Sequence, residues 1–543
     1  MLHQLINKID KDKLIYYLRF ICLESIMETS GFFEGGSKEV LDERLAICRL
    51  LLELDPKNEK IYKLEIKELL RRQIISSRRQ EIDKSRIYVD IQAIRDWANV
   101  ELSESFNRYI SYIEINLANM AMSTNNTLST VGEELSIQKN INVPVDEASS
   151  LFRYIFEEIR KMYLSVEVGL DRFISTRIRH GELERTMRIP IQKHKLITKR
   201  ITKDGPYKPN QYWIDKLEGI TDCKHRTENV FSYFSKKYDD LIFNIANQYL
   251  QINKSNKPDG LFDFNFYDSD INQISQLIKA DTSIEECVNQ IINILETRLI
   301  YSLAKIREYL NNICKQKAKE LLNELNDEVN SCMSNCTSIE FERALFSAKT
   351  DLSLQFDKII EWFVPPASGS STPFKIEDAI AVAEEIIKED TPNFKINYPP
   401  SESTLQIHGQ LPIFVDVFIN IFDNVVKRSG IDLPQATVDI VEGDENNEIM
   451  YMKISIINKL STDIDIDKLS ENLKSKKKLL DSGNYIEYLA REGNSGLFKI
   501  HKSVMDFNVA GRFKATLNFG VVDNIFHIEM EVPFQVFNLE SED

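Results

Sequence analysis

No stretch of this chain is apolar for long enough to cross a bilayer, which takes about twenty consecutive apolar residues, so no membrane partner is expected. The N-terminus, MLHQLINKIDKDK, lacks the basic and apolar regions of a secretion signal, and a cytoplasmic location is expected. The seven cysteines are scattered, and only Cys332 and Cys336 stand close. With no histidine or second cysteine pair beside them, reduced thiols explain them better than a zinc site. Histidine is absent from Arg226 through Gln406. Positive charge is also short: 68 Lys and Arg against 84 Asp and Glu leave a net −16. A uniformly acidic surface repels phosphate, which argues against a general nucleic-acid binder while leaving room for a local basic patch.

What is present has the composition of an ordinary soluble protein, 43% hydrophobic and 28% charged, and 543 residues suggest three or four domains. Residues 1–122 read as a helical domain. Within it, Leu41–Leu70 shows two amphipathic runs joined by Asp55-Pro56-Lys57-Asn58, where Pro56 breaks the first run and presets a turn. This unit resembles one helix-turn-helix of a tetratricopeptide array, but no second copy follows at a fixed period, and a single helical hairpin is expected. Arg71, Arg72, Arg78, Arg79, Lys84 and Arg86 come just after and read as a solvated helix face as readily as a phosphate contact. Residues 123–147 are polar and weakly patterned, as in a long loop.

A second helical domain is expected over 148–281. It carries the sharpest local anomaly: from Asp171 to Lys203 there are ten Lys and Arg, opposed only by Asp171, Glu182 and Glu184. Three roles compete for it. It can dock an acidic surface of the same chain or of a partner protein. It can be a nucleic-acid or phosphate-processing site in which His180 is the acid/base and Arg177 and Arg179 hold phosphate. Or His180 can accept a phosphoryl group. Docking explains the segment best, because the spacing around His180 fits neither a kinase His motif nor the Arg-His motif of small helical ribonucleases. Residues 282–365 read as a long hairpin: Ser283–Cys332 is periodic without Pro or Gly, and Ser338–Phe363 continues up to Val364-Pro365.

In the last segment, 366–543, Leu411–Gly430 buries one face through Phe414, Val417, Phe418, Ile421, Phe422 and Val425, and aligns Asp416, Asn420, Asn424 and Lys427 on the other. Asn is a poor helix former, so two of them one turn apart, followed by Lys, suggest a site for an ion or phosphate. Asn420-x-x-x-Asn424-x-x-Lys427 resembles the N-box of the GHKL (Bergerat-fold) ATPase domain shared by sensor histidine kinases, gyrase and mismatch-repair ATPases. The resemblance implies a C-terminal α/β sandwich that binds ATP with Mg²⁺, with Asn424 as the metal-side amide and Lys427 as the cation near phosphate. The element order agrees: helix Phe374–Asp390, strands Phe394–Tyr398 and Thr404–His408, the N-box helix, strands Ala436–Glu442 and Ile449–Asn458, helix Lys468–Ser482, then strands Arg512–Phe519 and Phe526–Phe534. Gly493-Asn494-Ser495-Gly496 is similar to the family's second glycine box, a turn and helix start that covers the phosphates.

The pattern is also eroded. Asn458 stands where the family's Asp accepts from the adenine amino group, and no Gly follows it. Asn420 replaces the Glu that activates water in hydrolysing relatives. Two long helices before such a domain resemble the dimerisation hairpin of histidine kinases, which implies a homodimer through 282–365. That hairpin has no histidine to phosphorylate, so conventional kinase chemistry is not expected. The fold class expected is therefore a mostly α N-terminal half with a long hairpin, followed by a histidine-kinase-type α/β sandwich. The function expected is regulatory: a signalling or phage-defence component controlling dimerisation or a partner. The enzyme alternative is an active ATPase, or a nucleic-acid or phosphate-processing activity at Arg177, Arg179 and His180.

Overall fold

The structure, a computed structural model, describes residues 10–29, 33, 37–84, 86–128, 145–179, 181–202, 205–217, 224–332, 338–365, 373–398, 407, 411–445, 449–489, 495–509 and 513–535. The N-terminal hairpin forms where Pro56 places it. Helix Ser37–Leu54 (α1) ends at Asp55, whose carboxylate accepts from Asn58 Nδ2 at 2.7 Å and from the Tyr62 hydroxyl at 2.8 Å. One 3-10 turn then leads into Glu59–Lys84 (α2). Leu51 and Tyr62 share a small core with Leu14 and Leu18 of the helix Lys11–Phe20.

Beyond that core α2 reaches the C-terminal domain. Ile82 is buried in that domain's core, and Arg79 pairs with Glu389 at 2.6 Å. Arg71 lies over the Tyr398 ring at 5.4 Å, and Arg78 donates to the Pro373 carbonyl. Arg86, just past α2, stacks on Trp362 at 4.0 Å while holding Asp83 and Glu182. Arg78, Arg79 and Arg86 are therefore not a solvated face, whereas Arg71, Arg72 and Lys84 stay exposed. Pro373, Glu389, Tyr398 and Trp362 lie hundreds of positions away, and local charge pattern does not report them.

One continuous core extends from Ile87 to Phe363. Its spine is a helical rod: Ile284–Tyr309 (α5), a π turn Leu310–Cys314, and Lys315–Ser331 (α6). A capping box starts the rod, with Ser283 N–H donating to Glu286 at 2.9 Å and Glu286 N–H donating back to Ser283 Oγ at 3.2 Å. Val288, Ile291, Ile292, Leu295, Leu299, Leu303 and Ile306 are buried at helical spacing. Ile339–Glu361 (α7) returns alongside, capped by Ser338. The rod packs on Ile91–Glu101, Val145–Tyr163 and Lys224–Asn244 of the same chain. The expected loop at 123–147 is helical at both ends: Ser103–Leu128 runs into it and Val145–Tyr163 begins within it. In the basic segment, Leu170–Ile174 (α3) is followed by a π turn Ser175–Arg179 and by Glu182–Lys193 (α4). Gly181 precedes α4 with φ +89°, a backbone region that favours glycine.

The C-terminal domain comprises Ile376–Asp390 (α8), Lys395–Asn397 (β1), Leu411–Arg428 (α9), Gln435–Glu445 (β2), Ile449–Lys459 (β3), Ile466–Asp481 (α10), Gly496–Met505 (α11), Asn508–Val509 (β4), Phe513–Lys514 (β5), Thr516–Val522 (β6) and Ile525–Gln535 (β7). The main sheet has the order β1-β2-β3-β7-β6, parallel only between β1 and β2, with β4 and β5 paired separately. The single strand expected over Arg512–Phe519 is divided into β5 and β6. The strand expected at Thr404–His408 falls outside the described residues except for Ile407, which bridges Phe374. Val438, Met452, Ile454, Ile456, Ile528 and Met530 bury one sheet face in the core with α8, α9 and α11, while Val441 and Ile457 stay exposed on the other. The result is the two-layer α/β sandwich that the sequence pattern implies. Among the described residues, no helix is long and apolar enough to cross a membrane.

Candidate functional site

The polar face of α9 is built by its own short side chains. Asn420 Nδ2 donates to the Asp416 carbonyl at 2.7 Å, and Asn424 Nδ2 donates to the Asn420 carbonyl at 2.8 Å. This back-bonding ties each amide nitrogen to the turn below it. Each Oδ1 is left as the available atom, and an amide oxygen is a suitable ligand for a hard cation. Lys427, 64% exposed, pairs with Asp423 at 2.8 Å. On the buried side Phe414 stacks on Phe507 at 4.4 Å, beyond the end of α11. Asn424 meets the start of α11, so the two helices run antiparallel.

That meeting is close. A Cβ on Gly496 would lie 3.1 Å from Asn424 Nδ2 and 3.6 Å from its Oδ1, so glycine leaves the amide room. Ser495, just before it, is 1% exposed, and among the described residues its Oγ has no hydrogen-bond partner. The first N–H groups of a helix have no intrahelical acceptor and suit an anion. Asn458 lies at the end of β3, on the same buried face as Met452, Ile454 and Ile456 and only 5% exposed. Its Nδ2 donates to the Lys459 carbonyl at 3.1 Å, which leaves Oδ1 to accept. The ends of α9 and β3 are tied by Ser461 N–H donating to the Ser429 carbonyl at 2.7 Å. On α10, burial and the nearby Arg428 push the Lys476 ammonium below its ordinary value. Asn424 and Gly496 are thus brought together, with Asn420 one turn below and Lys427 at the end of the same face. Gly493 and His180 lie outside the described residues.

The basic segment lies across α9 and α11. Arg177 Nε donates to Asp416 at 2.7 Å with both side chains buried, and its guanidinium sits over the rings of Phe173 and Tyr88. Arg172 pairs with Asp506 at 2.6 Å, and Lys499 Nζ donates to Ser175 Oγ at 3.3 Å. Arg185 Nη2 lies 3.6 Å from Asp423. Arg179 instead pairs with Asp171 and Gln251 inside the helical half. These are the contacts of a docking seam. Sequence reasoning put Asp416 on the ladder without seeing its partner, passed over Asp423, and took Ser495 only as part of the glycine box. Asp423 was within reach, three residues after Asn420 and four before Lys427.

Sheet order, the polar face of α9 and the glycine-led start of α11 together define a domain of the histidine-kinase ATPase type. Residues 375–534 match the model described as "y4jQ C-terminal putative histidine kinase domain", and residues 96–363 match that of the Y4jQ family. Both regions of the chain thus resemble Y4jQ proteins, and its C-terminal domain is histidine-kinase-like. "Uncharacterized protein y4jQ" of Sinorhizobium fredii (strain NBRC 101917 / NGR234) is 24% identical over 496 residues. That alignment covers 90% of this chain, which spans about half (47%) of that relative's length. Among solved structures, the catalytic domain of the histidine kinase ThkA aligns at 15% identity, covering 30% of this chain and 94% of its own, with a TM-score of 0.20. The Acinetobacter baumannii histidine kinase AdeS aligns at 9%, covering 40% and 96%, with a TM-score of 0.21. The domain assignment rests on the family match and the sheet order rather than on these superpositions.

Proposed function

We propose that the C-terminal domain binds ATP with Mg²⁺ at the C-terminal end of α9, and that the helical half, which grips α9 and α11, responds to that binding. The observation that carries this is Asn424, its Oδ1 available, set against Gly496 at the start of α11 beside a buried Ser495 hydroxyl without a partner. In this reading Asn424 holds the metal, which supplies the charge that keeps the phosphates in place. Lys427 and the first-turn N–H groups of α11 face the phosphates, and Asn458 accepts from the base. A neutral amide there makes a weaker bond than the usual carboxylate.

The role is regulatory rather than that of a conventional kinase, because the hairpin offers no histidine. Asn420, in place of a water-activating Glu, supports binding more than turnover. A signalling or phage-defence setting belongs to the same proposal and is supported by the domain combination alone. The phosphate-processing alternative is less favoured, since Arg177 and Arg179 are both committed to carboxylates.

Thermal or chemical unfolding with and without ATP·Mg²⁺ tests the reading. Ligand at a hundredfold over Kd should add about 2.7 kcal/mol of stability. Asn424→Ala should abolish most of that gain while melting like the parent when no ligand is present. No gain at millimolar ATP in the parent protein would sink the proposal.

A further inference from the structure

We propose that Arg185, carried by the helical half, is a phosphate ligand of the nucleotide site, so that the polyphosphate is held by both halves of the chain. This rests on the ATP reading above. The arginines of the basic seam use their donors differently. Arg177 is spent on Asp416 and two aromatic rings. Arg172 is spent on the Glu167 carbonyl at 2.8 Å, on Ser503 at 3.3 Å and on Asp506 at 2.6 Å. Arg179 has a buried Nε without a partner, but its pairs lie inside the helical half, away from α9.

Arg185 differs from all three. Its side chain is only 10% exposed, and among the described residues its Nε has no partner and its nearest carboxylates are loose, Glu182 at 3.3 Å and Asp423 at 3.6 Å. Each of those carboxylates also has a closer cation: Arg86 lies 3.1 Å from Glu182, and Lys427 lies 2.8 Å from Asp423. A buried guanidinium with an unspent donor is costly, and it is the fork that matches phosphate oxygens.

Its position agrees. Asp423 shares the face of α9 with Asn420, Asn424 and Lys427, so Arg185 reaches the ladder from the helical half. Ser495, which precedes the Gly496 that abuts Asn424, is another buried polar group without a partner among the described residues. Two unspent groups, one reaching α9 through Asp423 and one at the start of α11, call for a ligand rich in acceptor oxygens. A polyphosphate is such a ligand, and a nucleoside alone is not.

Calorimetric titration of the full chain with ATP·Mg²⁺ and, separately, with adenosine tests the inference. Arg185→Gln should weaken ATP binding by about tenfold or more, as expected for losing a charge-assisted bond, and leave adenosine binding within about twofold. Arg185→Lys should recover part of the loss. If Arg185→Gln binds ATP as tightly as the parent, or loses adenosine equally, Arg185 is a docking residue only and the ATP site stands without it. If the parent binds no ATP, the site reading falls and takes this inference with it. Should Arg185→Gln fail to fold, Arg185→Lys decides: a loss confined to ATP supports the inference, and no loss overturns it.

Discussion

Arg177 and Asp416 illustrate how little a buried ion pair says about its worth until one partner is removed. Both side chains are under 10% exposed, so Arg177→Met leaves a carboxylate buried and uncompensated. The expected cost is about 3–5 kcal/mol, read by urea denaturation. Pairing it with Asp416→Leu should restore most of the loss, because two apolar side chains no longer strand a charge. If the double variant is as unstable as the single one, the pair is not what holds the seam. His501, on α11, gives a second test at this scale. Its ring stands edge-on to Tyr485 and its Nδ1 is buried without a partner. Burial pushes the imidazole below its ordinary value, Lys502 adds to this, and Asp481 and Asp506 oppose it. A depressed folded-state value means that the stability contribution is present above the ordinary value of about 6.5 and is lost as pH falls below it. Acidification from about pH 7.5 to about pH 5.5 should therefore cost the parent more melting temperature than His501→Phe. Equal losses would show that the folded protein protonates His501 as readily as the unfolded chain does.

At the scale of elements, α9 was legible almost to its ends, because its apolar stripe and its polar ladder have the same period. Strands β2, β3 and β7 were legible by alternation, each to within a few residues. The division of β5 from β6 was not, since buried Ala515 continues the apolar pattern across the break. Nor was the π turn at Leu310–Cys314, where a single extra residue per turn leaves the local composition unchanged. The candidate site was legible where its residues share one helix, and illegible where Arg177 and Arg185 reach it from elsewhere in the fold. Asn458 shows what element context adds. It occupies a position in β3 whose neighbours on the same face are Met452, Ile454 and Ile456. Asn458→Asp places a charge there, so the ligand-free protein should melt lower. If the pocket takes ATP, the same variant should show a larger ATP-induced shift, because the carboxylate regains a charge-assisted bond. A lower melting point with an unchanged shift would place the base elsewhere.

For the whole molecule, the C-terminal domain is held from two sides, by α2 through Ile82 and Arg79 and by the basic seam through Arg172 and Arg177. Residues 374–535 expressed alone lose both supports. That fragment should melt lower than the same domain in the full chain, by roughly 10 °C if several kcal/mol are lost. Calorimetry of the two proteins checks this, and an equal melting temperature would mean that the contacts between the halves contribute nothing measurable.

The reach of α2 also sets a timetable. Arg78 and its acceptor Pro373 are 295 positions apart, so α2 leaves the ribosome long before its docking site has been made. At about 5–20 residues per second the wait is roughly fifteen to sixty seconds. During that interval Ile82 has no C-terminal core to enter. Arg78 and Arg79, one turn before it and later spent on Pro373 and Glu389, can meanwhile keep the nascent helix hydrated.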